Sequence, residues 1–243
     1  PSNPELSIVV SCFNQGEILE TALRNSFQAI QPWISSFETI VINDGSTDGS
    51  VRILDRLRKE FPHLRVTHQL HSGYARSIRR AYDLARGEYL FQIDLEEPEW
   101  VKDFRLFWEM RDRYALIIGY QRFEGGRARR FLQWLETRWI KPWFGAELKA
   151  PDSGYRLCRR DIATPYLTQI PKDFEGVNLA MTLVLYREAP RLLLEVEVGR
   201  GAASTPFSLS EKLGKFLHYF VEIVGLWWKY PNKPVLAPAS QSV

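Results

Sequence analysis

Asp94 and Glu96 stand two residues apart, where the apolar stretch Tyr89 to Ile93 gives way to polar residues. Carboxylates at that spacing can hold Mg²⁺ or Mn²⁺ through one or two oxygens and leave the remaining positions to a diphosphate and water. An isolated Asp-X-Glu is equally the signature of a solvated acidic turn. A second segment, Asn43-Asp44-Gly45-Ser46-Thr47-Asp48-Gly49-Ser50, offers carboxylates that can accept hydrogen bonds from a base or a ribose, with glycines that let the backbone turn sharply. Asp48 in it can serve instead as the N-cap of a following helix.

Both segments need a scaffold, and the first hundred residues supply an alternation of strand and helix patterns. Leu6 to Val10 reads as a buried strand, and Leu19, Leu23, Phe27 and Ile30 as one apolar helix face. Glu38 to Ile42, Val66 to Gln69, Tyr89 to Ile93 and Leu116 to Gly119 read as further strands. Helices carrying Val51, Leu54, Leu57 and Phe61, and spanning Ser72 to Arg86, lie between them. Such βαβ units predict an α/β fold, Rossmann-like, with a mostly parallel central sheet flanked by helices. Ligands in open sheets of this kind bind beyond the carboxyl ends of the strands, so Asn14, Asp44 and Asp94 are the residues to inspect. After Gly125 the pattern changes. Arg127 to Phe144 reads as a basic, aromatic helix interrupted at Pro142, Asp152 to Arg160 as a return to the sheet, Gly176 to Arg187 as a helix, Leu192 to Val198 as a strand, and Ser208 to Tyr230 as a C-terminal amphipathic helix.

The 243 residues suit one large α/β domain with an appendage, and a hydrophobic content of 45% is ample for a core. A formal charge of +3 gives no footprint for nucleic acid, which is not expected as a partner. Cys12 and Cys158 form neither a disulfide framework nor a zinc cluster, and both are expected to be reduced. With no recognisable leader and no run of about 20 apolar residues, the expected location is cytoplasmic, peripheral on the cytoplasmic membrane face.

Several segments in order, Ser11-Cys12-Phe13-Asn14-Gln15, Asn43 to Ser50, Ser72-Gly73-Tyr74-Ala75-Arg76 and Ala85 to Tyr89, resemble family 2 glycosyltransferases. Asp94-Leu95-Glu96-Glu97-Pro98 falls where that family carries its metal-binding acidic motif, and Ser153 to Arg160 is similar to a segment of its dolichol- and polyprenyl-phosphate sugar transferases. The resemblance covers roughly residues 5 to 215. It implies a GT-A fold, a nucleoside-diphosphate sugar donor and transfer with inversion. It divides the chain into a catalytic domain over 1–205 (donor-binding region 1–120, acceptor-side region 121–205) and a C-terminal helix and tail over 206–243.

By the same resemblance Phe13, Gln15 and Asp44 lie around base and ribose, Gly73, Arg76 and Gln92 belong to the donor site, and Asp94 and Glu96 hold Mg²⁺ or Mn²⁺. Three positions depart from the family pattern by carrying an amide where a carboxylate is usual: Gln92, Gln15 and Asn43. They imply an altered donor preference, weaker metal dependence, or a non-catalytic nucleotide-sugar-binding member.

The acceptor is expected to be a polyprenyl phosphate. Its anionic oxygen needs no strong base, and arginines would hold the phosphate by charge-assisted, often bidentate bonds. Arg122, Arg127, Arg130, Arg156, Arg200 and Lys212 are the candidates, Arg122 foremost because it follows a predicted strand end; solvated surface arginines are the alternative. A hydroxyl acceptor on a soluble glycan would require a carboxylate base, with Glu175 first and Asp152 next. His71, beside the Gly73 loop, reads as structural. Phe216, Phe220, Ile223 and Trp227 share one helical face and Lys215, His218, Glu222 and Lys229 another, as in an interfacial helix. Core packing or a dimer contact would produce the same pattern.

Overall fold

Short β-branched runs bounded by amphipathic helices fold as parallel strands only if both sheet faces are covered. In β1 (Leu6–Cys12) Leu6, Ile8, Val9, Val10 and Cys12 are all fully buried, so neither face meets water. The protein's structure is a computed structural model that describes residues 3–95, 98–120, 148–199, 221–222 and 224–225. After β1 come α1 (Gly16–Ile30), β2 (Phe37–Asp44), α2 (Ser50–Glu60), β3 (Leu64–Gln69), α3 (Tyr74–Leu84) and β4 (Tyr89–Gln92). A 3₁₀ turn (Pro98–Asp103) leads into α4 (Phe104–Met110) and β5 (Leu116–Tyr120). Then follow β6 (Arg156–Arg159), α5 (Arg160–Gln169), α6 (Val177–Glu188), a 3₁₀ turn (Pro190–Leu192) and β7 (Leu193–Glu197).

The seven strands lie in the order β3-β2-β1-β4-β6-β5-β7. β6 runs antiparallel to both its neighbours, and the other pairings are parallel, so the sheet is mostly parallel as expected. One face packs Ile8 and Val10 against α1, α2 and α4 through Leu23, Phe27, Leu57, Phe104 and Phe107. The other packs Val9, Ile40 and Ile42 against α3, α5 and α6 through Ile78, Tyr82, Tyr166 and Met181.

Two helices go beyond the sequence expectation. α4 carries Phe104, Phe107 and Trp108, all buried, at the i, i+3, i+4 spacing of a helical face. α5 hides its periodicity behind an internal proline, Pro165, whose ring removes one helical N–H. The expected helix over 127–144 lies outside the described residues, as do Glu96, Arg122, Arg127, Arg130, Arg200 and Lys212. Of the expected C-terminal helix only 221–222 and 224–225 are described, and these are helical. Among the described residues no helix is long and apolar enough to cross a membrane.

At the amino ends of the strands the sheet is tied by a buried carboxylate. Glu38 accepts from Ser7 Oγ (2.8 Å), from Arg86 N–H (2.7 Å) and from Arg65 (2.8 Å). Gly87 donates its N–H to Ser7 Oγ at 2.8 Å, and an added Cβ there would stand 2.5 Å from Ser7 N, so only glycine fits.

Beside this knot the His63 ring sits among Phe27, Phe37 and Phe61, at centroid distances of 4.6, 4.5 and 5.7 Å. Burial there holds its pKa below the ordinary histidine value, and Nε2 has no hydrogen-bond partner among the described residues. The folded protein then binds this proton less readily than the unfolded chain. Stability from the site is full above about pH 6.5 and is lost as pH falls through the folded value. Chemical denaturation between about pH 7 and about pH 5 should show a smaller loss of stability in His63→Leu than in the wild type.

Candidate active site

Parallel neighbours β2, β1 and β4 deliver their carboxyl ends side by side, with Cys12 opposite Asn43 and Val9 opposite Gln92. Asn14, Asp44 and Asp94 therefore emerge along one edge of the sheet.

Asp44 ends β2 with 1% of its surface exposed. A buried carboxylate must have its charge met by donors, and here they come from the last residue of β3 and the segment after it. Oδ1 accepts from Gln69 Nε2 (2.7 Å), Ser72 N–H (2.9 Å) and Ser72 Oγ (2.9 Å), and Oδ2 from Gly73 N–H (2.8 Å). Burial alone would raise the pKa, but the bonds from Gln69, Gly73 and Ser72 outweigh it and hold the group below its ordinary value. Gly73, at φ +94°, turns the chain into α3. Gly45, at φ +75°, lets the backbone pass His71, where a Cβ would stand 2.7 Å from the His71 amide nitrogen.

His71 is fixed by Asp44 through Nδ1, 3.0 Å from Oδ2, and its ring lies 4.3 Å from that of Phe13. Phe13 follows β1 and is 43% exposed, so the pair presents an aromatic surface beside the strand ends. Exposed Arg76 stands in the first turn of α3, next to Gly73. Across the opening, Asn14 adopts φ +52° and accepts from Thr47 N–H at 2.8 Å. Asp48 is not the N-cap of α2, a place taken by Gly49; its oxygens accept from Gly16 N–H (2.8 Å) and Ser50 N–H (2.9 Å) and so tie the starts of α1 and α2 together. Half-buried Gln15 leaves its side-chain Oε1 with no partner among the described residues.

Asp94 lies just past β4. Oδ1 accepts from the Tyr74 hydroxyl at 3.1 Å, and the carboxylate rests on Gly154 so closely that a Cβ there would stand 2.1 Å from Oδ2. The Tyr74 ring is 42% exposed while its hydroxyl end is enclosed by Gln92, Asn178 and Asp94. Burial of that hydroxyl and the charge of Asp94 push its pKa well above the ordinary phenol value, so it stays a neutral donor. Asp152, exposed on the turn before β6, adds to the same effect. A glycine cradle for one carboxylate at a strand end fits a divalent cation such as Mg²⁺ or Mn²⁺, which is often held by one or two carboxylates plus substrate phosphates. No cluster of three or more His, Cys, Asp or Glu residues suited to a metal occurs among the described residues.

Two expected ligands take other roles. Gln92 is fully buried, and its amide is spent inside the protein on Tyr82 and Tyr74, so it reaches no donor. Arg156, expected at an acceptor phosphate, is also fully buried. Its Nε bonds Ser153 O (2.8 Å), and its two terminal nitrogens bond Asn178 O (3.0 Å), Thr182 Oγ1 (3.2 Å), Pro151 O (3.1 Å) and Ser153 O. With every N–H of the guanidinium directed at a protein acceptor, none remains for a phosphate; the residue holds the Pro151–Gly154 turn against α6. Glu175 is exposed on the turn before α6, where its N–H and that of Gly176 meet the Glu222 carboxylate at 3.3 and 3.4 Å. Asn178 and Tyr74 are central to the site, yet sequence alone gives neither a role as ligand or positioning group: Asn178 belongs to no motif, and Tyr74 enters only as a member of the Ser72–Arg76 segment.

A sheet of this order, with a ligand-facing carboxylate edge, is the GT-A glycosyltransferase fold, and solved structures bear this out. Glucosyl-3-phosphoglycerate synthase from Mycobacterium tuberculosis superposes with a TM-score of 0.66 at 18% identity, over 91% of this chain and 79% of that one. Mannosyltransferase PcManGT from Pyrobaculum calidifontis, in complex with GDP-Man and Mn²⁺, gives 0.65 at 16% identity over 92% and 65%. The profile of Glycosyl transferase family 2 matches residues 7–160, and the chain belongs to that family. Among curated relatives, the uncharacterized glycosyltransferase YibD of Escherichia coli K12 is 32% identical over 96 residues, 40% of this chain and 27% of YibD. The uncharacterized glycosyltransferase sll0501 of Synechocystis is 24% identical over 204 residues, 77% of this chain and 62% of that protein. The match thus spans only about a quarter of YibD, and 15% of glycosyltransferase AglD of Haloferax volcanii.

Gly154→Ala should force the Asp94 carboxylate out of its cradle at an overpacking cost of about 1–3 kcal/mol. Because the clash is with that one side chain, urea denaturation should find a smaller cost in an Asp94→Ala background. Equal costs in both backgrounds would locate the clash elsewhere.

Proposed function

We propose that the protein transfers a sugar from a nucleoside-diphosphate sugar to an anionic acceptor, with inversion at the anomeric carbon. The observation that carries this reading is the Asp94 carboxylate, seated on Gly154 and bonded to Tyr74 beside the carboxyl ends of β1 and β2. The Phe13–His71 surface offers a face for the base, and Arg76 a cation at the start of α3. Asp94, with Glu96, would hold Mg²⁺ or Mn²⁺. When bound, the ion supplies positive charge against the leaving diphosphate. PcManGT in complex with GDP-Man and Mn²⁺, and glucosyl-3-phosphoglycerate synthase with UDP-Glc and Mn²⁺, support this use of the fold.

In the reaction an acceptor oxygen forms a bond to the anomeric carbon while the bond from that carbon to the diphosphate breaks. The electron pair departs with the nucleoside diphosphate. A polyprenyl phosphate already carries the negative oxygen required, so no residue need remove a proton. Arg122, Arg127, Arg130, Arg200 and Lys212 are the residues proposed to hold its phosphate, and the 206–243 segment is proposed to rest on the cytoplasmic membrane face. Cholesterol galactosyltransferase of Borreliella burgdorferi, 27% identical over 90 residues, supports an acceptor in a lipid surface; cholesterol presents a hydroxyl, so this relative bears on the membrane and not on the phosphate. A soluble acceptor is the second reading, favoured by the neighbour solved with phosphoglyceric acid; a hydroxyl acceptor would lose its proton to Glu175 or Asp152.

The amide replacements do not argue for loss of activity. Asn43 donates from Nδ2 to His68 Nδ1 at 3.0 Å and accepts from Ser46 N–H at 3.4 Å, and Gln92 likewise both donates and accepts. At 92 an amide takes a proton from one tyrosine while giving one to the other, which a carboxylate cannot do, and at 43 the amide keeps its contacts to His68 and Ser46.

Incubation with labelled UDP-glucose or GDP-mannose, Mn²⁺ and either polyprenyl phosphate or 3-phosphoglycerate tests the reading. Label should enter the lipid fraction, fall at least ~100-fold in Asp94→Asn, and fall in Arg122→Ala but not in Glu175→Gln. Transfer to the soluble acceptor alone, lost in Glu175→Gln, would reassign the acceptor. No turnover with any sugar nucleotide would leave a binding protein.

A further inference from the structure

A phenol hydroxyl has one proton to give and two lone pairs to receive with. At Tyr74 both receiving positions are filled by groups that can only donate to it. Gln92 Nε2 donates from β4 at 2.8 Å, and Asn178 Nδ2 donates from the first turn of α6 at 3.2 Å. The direction of the first bond is set by Asp94, whose carboxylate only accepts and so takes the one Tyr74 proton; behind it Tyr82, two turns along α3, gives its own hydroxyl proton to Gln92 Oε1 at 3.0 Å. Gln92 therefore turns its oxygen to Tyr82 and its NH₂ to Tyr74. The Tyr74 proton is left with one acceptor, Asp94 Oδ1, at 3.1 Å.

We propose that Tyr74 is the positioning residue of the site: the relay Tyr82–Gln92–Tyr74, braced by Asn178, fixes the Asp94 carboxylate in the orientation that receives a divalent cation together with a nucleoside diphosphate. The relay rests on the reading of Asp94 given above and adds to it what sets the carboxylate's geometry. Oδ1 is held by the tyrosine, and Gly154 limits the rotation of the carboxylate from the opposite side. An amide at 92 is the side chain that serves two tyrosines at once, taking a proton from one and giving a proton to the other. A carboxylate in its place would accept from both hydroxyls, and the Tyr74 proton would be drawn away from Asp94. The same bond from Asn178 joins α6 to Asp94, and the Asn178 carbonyl accepts from Arg156, which holds the turn bearing Gly154. These two restraints on Asp94 thus lead back to the start of α6.

The test is a double-mutant cycle on the whole chain. Mn²⁺ is titrated in the presence of UDP and, separately, GDP, and the apparent Mn²⁺ affinity is read from the rise in melting temperature. Tyr74→Phe should weaken Mn²⁺ binding by about 10–100-fold, the usual range for groups that orient a metal ligand. Nucleotide binding without metal should be unchanged, which separates positioning from general damage. In an Asp94→Asn background, adding Tyr74→Phe should change nothing further. Gln92→Leu, of similar volume, should weaken Mn²⁺ binding in the same direction and serves if Tyr74→Phe does not fold. Two results overturn the proposal, and they differ. If wild-type Mn²⁺ binding depends on Asp94 but Tyr74→Phe and Gln92→Leu leave it unaltered, or act equally with and without Asp94, the relay does not position the carboxylate. If wild-type protein shows no Mn²⁺-dependent response to either nucleotide, the metal reading of Asp94 fails and the relay loses its purpose with it.

Discussion

A carboxylate with almost no exposed surface keeps its charge only if the protein supplies the donors, and Asp44 obtains them from one short stretch of chain. Its bonds to Gln69, Ser72 and Gly73 close the end of β3 over the end of β2. That closure demands two left-handed glycines, Gly45 and Gly73, and it sets where α3 begins. With the start of α3 fixed, Tyr74 reaches Asp94 and His71 meets Phe13. Resemblance places Asp44 among the ligands of the nucleotide. The structure gives its carboxylate a full set of internal bonds, and its effect on any ligand runs through the loop it holds.

The two edges of the sheet divide the work. At the amino ends Glu38, Ser7, Arg65 and Gly87 form a closed set of bonds with no room for a ligand, since even a Cβ on Gly87 would collide with the β1 backbone. At the carboxyl ends the polar groups lie beside exposed surface: Phe13, Tyr74 and Asp152 reach solvent next to buried Asp44 and Gln92. Asp44, Gln92 and the Tyr74 hydroxyl are satisfied by neighbours on other elements, which ties the loops to one another. Pre-set donors and acceptors of this sort spare a ligand the cost of ordering them.

The fold was legible because its signal is periodic. β-branched runs and helical stripes such as Leu19, Leu23, Phe27 and Ile30 place the alternating elements of the first hundred residues, and a parallel sheet follows from their order. α4 was legible in principle, through Phe104, Phe107 and Trp108, whereas Pro165 disguised α5. Site residues separate by a different rule. Positions just past strand ends, such as Asp94, can be named from one dimension. The fate of a polar group that points inward depends on neighbours far along the chain, which spacing cannot reveal. Arg156 meets Asn178 and Thr182, and Gln92 meets Tyr82 and Tyr74, only after folding. Asp48 is open to two readings from sequence, and in the fold it ties the starts of two helices together, a role that depends on α1 and α2 meeting.

The central claim is that the carboxyl ends of β1, β2 and β4 hold a nucleoside diphosphate and its cation, with Asp94 as the metal-side carboxylate. Crystals grown with Mn²⁺ and UDP or GDP, with diffraction recorded for the anomalous signal of manganese, locate the ion directly. An anomalous peak is expected at about 2.0–2.2 Å from an Asp94 oxygen, with the diphosphate bound to it and the base against Phe13 and His71. A manganese ion elsewhere, or a nucleotide bound away from this edge with Asp94 still bonded only to protein, would contradict it.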